Sequence, residues 1–301
     1  MKKALLLIIL SIIIINCKNV KDNNGKLNVV TTTTMITDLV KNIGGAHINL
    51  QGLMGSGVDP HLYKASEGDV TKLSNADIIF YNGLHLEGKL VEVFEKMKNK
   101  KTIAISDALD KNTLIGSEYF ASNYDPHIWF DIEYWKQATN FVVKTLSEAI
   151  PEQKLAFEEN GKTYIDKLNN LKAEIDNTIS AIPEEQRILV TAHDAFNYFG
   201  KAFNFQVVGL QGLSTATEAG VKDVQKLSTF IIENKVKSIF VESSVPKRTI
   251  EALQAAVKSK GHEVSIGGTL YSDALGNAGT VEGTYIGMFE YNVNTIVNAL
   301  K

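Results

Sequence analysis

Between two stretches in which β-branched runs alternate with amphipathic segments, the chain carries one uninterrupted amphipathic run. Pro151 opens it, EQKLAFEENGKTYIDKLNNLKAEIDNTISAI follows, and Pro183 closes it. Proline suits the first turn of a helix, where its missing N–H is no loss. Leu168, Leu171, Ile175, Ile179 and Ile182 recur every three or four positions, the spacing of one buried helical face. The run is therefore read as a single helix of roughly 30 residues, far stiffer than a Gly/Ser linker. Whatever folds on either side of it is joined by a rod.

Both sides read alike. LNVVTTTT, INLQGLM, DIIFYNG and KTIAISD are strand-like before the rod, with helical stretches near 66–75 and 87–98 and a helix over 132–149. After it come RILVTA, VVGLQG, SIFVES and EVSIGG, separated by helical stretches near 195–203, 221–235 and 246–259, and a last helix from about Glu282 to Leu300. Strands alternating with helices imply βαβ units and parallel sheets. The expected fold is α/β: two lobes, each a mostly parallel sheet flanked by helices, joined by one long rigid α-helix. The expected boundaries are an N-terminal lobe over 27–150, the linking helix over 151–183 and a C-terminal lobe over 184–301. Open α/β sheets bind ligands beyond the C-terminal ends of their strands, which makes the cleft between the lobes the expected site.

The amino terminus, MKKALLLIILSIIIINC, has a basic start and a largely apolar run of 12 residues from Ala4 to Ile15. A membrane-spanning helix needs about 20 residues, so the run fits the apolar region of a secretory signal instead. The chain's single cysteine, Cys17, stands where the apolar run stops. The segment resembles a bacterial lipoprotein signal, with residues 1–16 removed, Cys17 lipidated, and 17–26 a polar tether. The alternative is an uncleaved apolar tail with an incidental thiol. The resemblance implies a periplasmic or cell-surface protein anchored in a membrane. Removing residues 1–16 leaves 29 basic against 34 acidic groups, a net charge of −5. With its lysines scattered, such a chain has no footprint for nucleic acid.

The chain has six histidines and five prolines, and it spends two of each in Asp-Pro-His triplets, GVDPHLY at 57–63 and YDPHIWF at 124–130. Proline fixes its own φ and keeps the preceding residue extended, so each triplet aims its imidazole from a stiff backbone. His193 directly follows RILVTA in the second half. His47 and His262 read as surface or capping residues, and His85 sits at the end of a strand, where sites gather. His61, His127 and His193 would all face one cleft, and three imidazoles suit a divalent transition metal. Asp273, in the Gly-rich loop of TLYSDALGNAGT, either caps its turn or supplies a carboxylate that completes an N/O shell. Asp59 and Asp125 read as caps of their own turns. Glu242 and Arg248, flanking SSVPK, are candidates for a supporting ion pair in the cleft, with surface placement as the alternative.

GVDPHLYKAS, the helix start after YDPHIWFD, TAHDAFNYFG, IFVESSVPKRTIEAL and LYSDALGNAGTVEGTYIGM follow one another through the whole mature chain. In these stretches the chain resembles the solute-binding proteins of zinc/manganese ABC transporters (TroA/ZnuA-like, cluster A-I). The resemblance implies two lobes on one long helix, metal ligands at His61, His127, His193 and Asp273, and delivery of the metal to a membrane permease. It also implies no catalysis, and a monomer is expected. Histidine at the third position resembles zinc-binding and dual zinc/manganese members. The stretch DKNTLIGSEYFASNY holds no histidine, unlike the His-rich loops of many zinc members. A nitrogen-rich shell favours Zn2+ over Mn2+ by the Irving–Williams order, while carboxylate and higher coordination favour manganese. Zinc is the expected ion, with manganese the alternative.

Two other classes remain open at this level. A zinc hydrolase would use three histidines and an open position to activate water, but HExxH is absent and Asp273 would close that position. A surface adhesin would hold its metal only as a structural staple. For the transport reading, the stiff helix predicts little lobe closure. The two proline triplets predict a preorganised first-lobe half, with any adjustment on release falling to the second lobe.

Overall fold

The computed structural model describes residues 25–97, 101–118 and 120–301. The expected signal segment, Cys17 and nearly all of the tether lie outside the described residues. The first sheet contains β1 (Leu27–Thr31), β2 (Ile48–Gly52), β3 (Ile78–Tyr81) and β4 (Lys101–Ala104), all parallel, in the order β2-β1-β3-β4. Helices α1 (Thr34–Gly44), α2 (Glu67–Asn75), α3 (Val91–Lys96) and α4 (Ile132–Ala149) belong to this half. The second sheet repeats the same order as β6-β5-β7-β8, from β5 (Ile188–His193), β6 (Gln206–Gln211), β7 (Ser238–Glu242) and β8 (Ser265–Leu270). Its helices are α6 (Asn197–Phe203), α7 (Val221–Glu233), α8 (Arg248–Ser259) and α9 (Tyr285–Leu300).

Local chemistry sets the starts of the site-bearing helices. Asp131 caps α4, its carboxylate accepting from the N–H groups of Glu133 at 2.8 Å and Tyr134 at 3.2 Å. Ser66 and Asp69 form a reciprocal capping box at α2, which ends the long loop carrying the first Asp-Pro-His triplet. In each sheet the strand order reverses beside its first strand, β1 or β5, opening the crevice where loops converge.

The rod predicted over 151–183 is a short 3-10 turn, Pro151–Gln153, running into α5 (Lys154–Ile179). At 1.5 Å per residue its 26 residues span about 39 Å. Its buried face, Phe157, Gly161, Tyr164, Leu168, Leu171, Ile175 and Ile179, packs on α1 and α4 of the first half and on α9 of the second. The main apolar core therefore runs through both halves without a break, from Val29 and Leu39 through Trp135 and Leu168 to Phe289 and Leu300. Two smaller cores cover the outer layers, one under α7 and α8 and one under α2 and α3. Relative motion of the lobes would have to shear the central core, which is close-packed.

The tightest point of the rod is Gly161, where an added Cβ would run into Val143 Cγ2 on α4. In an exposed helix, glycine to alanine gains about 1 kcal/mol, but overpacking a filled core costs about 1–3 kcal/mol. We expect Gly161→Ala to lower stability by about 1 kcal/mol, read as a lower urea midpoint. A raised midpoint would show that α4 and α5 are not held this close.

Candidate metal centre

The two sheets point the ends of their strands at a common cleft, and four side chains meet there. His61 comes from the loop after β2, His127 from the loop before α4, His193 is the last residue of β5, and Asp273 follows β8. One donor atom from each lies within 4.8 Å of the other three. Asp273 is the hub: its Oδ2 is 3.2 Å from His193 Nε2 and 3.8 Å from His61 Nε2, and its Oδ1 is 3.6 Å from His127 Nε2. Three imidazoles and a carboxylate around a tetrahedral zinc ion would place their donor atoms about 3.3 Å apart. The observed separations already approach that spacing.

All four residues are buried, and even His61, the least enclosed, is only 5 % exposed. The three Nε2 atoms and both Asp273 oxygens lie out of solvent without a hydrogen-bond partner. Buried polar atoms are normally satisfied, so a cluster of orphaned lone pairs aimed at one point fits a bound cation. Both Asp273 oxygens face inward, so the carboxylate can bind through one oxygen or two.

Carboxylates stand behind two of the rings. Asp125 Oδ1 lies 2.7 Å from His127 Nδ1 and also accepts the His127 N–H at 2.9 Å. Glu242, the last residue of β7, accepts the His193 N–H at 2.8 Å, and its second oxygen lies 2.6 Å from His193 Nδ1. This second contact is close but out of line for a hydrogen bond. Such partners leave Nε2 as the metal-facing nitrogen and fix the ring's orientation. Behind His61, the Asp59 carboxylate accepts the His61 N–H at 2.8 Å and, from the other lobe, the Thr215 hydroxyl at 2.5 Å.

Burial pushes the His61 imidazole down to about 3, with the charges of its neighbouring imidazoles adding to the effect and Asp273 opposing it. Burial pulls on His193 in the same sense, but the Glu242 and Asp273 carboxylates outweigh it and raise His193 well above its ordinary value. Asp273 loses solvation too, yet His193 and the other two rings hold its carboxyl below the usual carboxylate range. The two carboxylates thus favour the charged form of His193, while burial disfavours the charged form of His61.

The remaining sequence candidates fall differently. Arg248 does not pair with Glu242: its side chain is 72 % exposed and its guanidinium binds Glu218 at 2.9 Å. The reason is geometric, since Glu242 ends a buried strand while Arg248 begins α8 one turn beyond it, on the outer face. Asp125 is more than a turn cap, because the same oxygen serves ring and backbone. His85 is exposed and outside the cluster, although Phe120 lies edge-on to it and to His61, with ring centroids 6.3 and 6.4 Å apart. His47 packs edge-on against Phe157 at 5.9 Å.

Sequence reading also missed the fasteners across the cleft. Trp129 Nε1 donates to Ser272 O at 2.9 Å, beside Asp273, and Tyr285 Oη donates to Trp129 O at 2.7 Å. Asn197 Nδ2 donates to Asp125 Oδ2 at 3.0 Å, and Tyr198 Oη donates to Asp125 O at 3.0 Å. Asn197 and Tyr198 do stand in the TAHDAFNYFG stretch, but nothing in their spacing says that they reach the opposite lobe.

Residues 29–299 match the family model described as "Zinc-uptake complex component A periplasmic". The manganese-binding lipoprotein MntA of Bacillus subtilis is 48 % identical over 282 residues, 93 % of this chain and 92 % of that protein. The zinc-binding protein TroA of Treponema pallidum is 48 % identical over 278 residues, 92 % of this chain and 90 % of that protein. The solved structure of TroA superposes with a TM-score of 0.89 and covers 92 % of this chain and 99 % of its own. Fe(III)-bound YtgA from Chlamydia trachomatis, 26 % identical, superposes with a TM-score of 0.83 over 91 % of this chain and 98 % of its own.

The site's electrostatics predict how the metal-free protein responds to acid. The unfolded chain protonates His61 near its ordinary value of about 6.5, whereas the folded site accepts that proton only near pH 3. The metal-free fold should therefore lose stability as pH falls from about 6.5 towards 3, by about 1.4 kcal/mol per unit from this group. The raised pKa of His193 contributes stability that is fully present below about 6.5 and lost only as pH rises through the raised value, so it adds no slope in the acid window. Urea midpoints of chelated protein at pH 6 and pH 5 test this. His61→Ala should flatten the difference, and an unchanged slope would remove burial of neutral His61 as its cause.

Proposed function

The chain belongs to the ZnuA family of zinc-uptake components, and from that premise we propose that it captures a divalent transition metal at His61, His127, His193 and Asp273 and hands it to the permease of an ABC transporter. The observation that carries the reading is the convergence, from both lobes, of five orphaned donor atoms buried around one point. Members of the family are solute-binding proteins, and the geometry suits that role better than catalysis. A hydrolase needs an open coordination position with room for substrate, whereas Asp273 faces the fourth position and all four side chains are enclosed.

The metal is cargo, so the site must hold it and release it. Three imidazoles favour Zn2+ at equilibrium. A carboxylate with both oxygens turned inward also allows the higher coordination number that Mn2+ accepts. The named relatives divide in the same way, MntA being named for manganese and TroA for zinc at equal identity. The reading is therefore zinc bound more tightly, with manganese accepted where supply favours it.

The division into lobes at 27–150 and 184–301 with a linking helix over 151–183 belongs to the same reading. So does a lipid anchor on Cys17 after loss of residues 1–16, which would tether a monomer outside the cytoplasm beside its permease. The naming of MntA as a lipoprotein supports the anchor.

Purified protein freed of metal should stay folded and take up one Zn2+ per chain, measured by competition with a fluorescent chelator. Asp273→Ala and His127→Ala should each weaken zinc binding at least hundredfold, and Glu242→Gln about tenfold to hundredfold. Unfolding on chelation would favour a structural staple. Normal zinc affinity in Asp273→Ala would mean that the proposed shell is wrong.

A further inference from the structure

Of the buried acids in the first lobe that lie outside the metal shell, Glu87 has no contact with a metal-site ring. Glu87 is 2 % exposed, and burial pushes its carboxyl above the usual range. Its partners are a hydroxyl and two backbone N–H groups: Thr32 Oγ1 donates at 2.6 Å, Asn82 N at 2.7 Å and Gly83 N at 3.3 Å. A carboxyl in such a place is expensive to keep, and apolar residues would fill the space more cheaply.

What it holds is a turn with an unusual backbone. Gly83, Leu84 and His85 have φ values of 84°, 50° and 64°, three left-handed residues in succession, two of them with side chains. L-residues resist that conformation, so something must hold it. Glu87 grips the chain at the start of the turn, and Gly83 cannot be replaced there, because a Cβ would run into Ser106 Oγ and lie 2.8 Å from Ala104 Cβ.

The turn in turn aims the Asn82 amide. Its Nδ2 donates to Gly83 O at 3.2 Å and, reaching across the lobe, to Pro126 O at 2.9 Å. Pro126 O also accepts from Ile128 N at 2.9 Å. That bond, with His127 at φ −82° and ψ 47°, makes His127 the central residue of an inverse γ-turn. The carbonyl that closes the turn is the one Asn82 holds. Asp125 orients the His127 ring from one side, and Asn82 fixes the peptide from which the ring hangs.

We propose that Glu87 and Asn82 are positioning residues for His127: Glu87 fixes Asn82, Asn82 fixes the Pro126–His127 peptide, and the two together set how strongly the site holds its metal. The inference rests on His127 being a ligand, as proposed above. The hydrogen bonds of Glu87 and Asn82 go to Thr32 and to the main chain, and their effect passes through the main chain.

The test uses the full chain with Zn2+ and, as a spectroscopic probe, Co2+. Asn82→Ala and Glu87→Gln should each release zinc about tenfold faster and alter the d–d absorption of the Co2+ form. A control variant in the separate outer core under α7 and α8, Val257→Ala near the C-terminal end of α8, should lower the melting temperature while leaving both readouts unchanged. Wild-type zinc release and an unaltered Co2+ spectrum in Asn82→Ala, with only the melting temperature reduced, would overturn the proposal. Should Asn82→Ala fail to fold, Glu87→Gln read the same way decides, because it keeps the size of the side chain. Failure of the wild-type chain to bind Zn2+ or Co2+ would sink the transport reading instead.

Discussion

The metal centre depends first on the apolar core that joins the lobes. Two of the four proposed ligands come from each lobe, so a fraction of an ångström of relative drift would spoil their convergence. The core running through α1, α4, α5 and α9 removes that freedom, because sliding the lobes would open voids in a packed interior. Hydrogen bonds finish the alignment where the core reaches the cleft. Thr34 Oγ1 accepts from Leu275 N at 2.8 Å, and Asp38 Oδ2 accepts from Tyr285 N at 3.1 Å. Trp129 does the same two residues from His127, bonding to the carbonyl next to Asp273. A binding protein whose lobes swing on flexible strands closes over its ligand. This one presents a cleft already assembled.

Electrostatics then decide what the assembled cleft will accept. Four donor groups with no internal partner would repel or strain one another if they were all anionic, and would hold a metal only weakly if they were all neutral. The arrangement lies between those limits. Asp273 carries the only carboxylate inside the shell, while Glu242 and Asp125 sit one layer out, against the Nδ1 faces of two rings. A divalent ion meeting three neutral imidazoles and one carboxylate keeps about one positive charge, which those outer carboxylates offset. Glu242 and Asp273 also raise the pKa of the His193 imidazole that lies between them.

Much of this was legible in the sequence. The rod showed in the periodicity between Pro151 and Pro183, and the two parallel sheets in the alternation on either side. The structure brings His61, His127, His193 and Asp273 together because stiff Asp-Pro-His turns and strand ends leave few directions for a side chain to point. Other features were illegible for one physical reason: they depend on which face of an element meets a distant partner. Arg248 and Glu242 are near neighbours in sequence, yet one is solvated and the other buried. Asp125 looked like a cap and is one, but only the fold shows its carboxylate against the His127 ring. The strand-like run DIIFYNG reads as ending at Gly83 and a helical stretch as starting near residue 87, with no hint that Glu87 turns back on the main chain.

The two proline triplets are alike in sequence and held differently, and the difference bears on release. Around His127, Asp125 gathers bonds from the ring, the backbone, Asn197 and Tyr198, and Asn82 holds the adjoining carbonyl. Around His61, Asp59 is held by the His61 N–H and by Thr215, whose loop belongs to the opposite lobe and lies between β6 and α7. His61 is the least enclosed of the four proposed ligands, though still buried, and its neighbour Leu62 is open to solvent. The sequence suggested a rigid first-lobe pair facing an adjustable second lobe. The bonding adds a contrast within the first-lobe pair: the His127 turn is held by Asn197, Tyr198 and Asn82, and the His61 turn is tied across the cleft by the Thr215 hydroxyl. An ion can leave a rigid, preassembled site only where its shell yields. Thr215 is the tie that reaches the His61 turn from the opposite lobe, whereas the shared core lies apart from that loop.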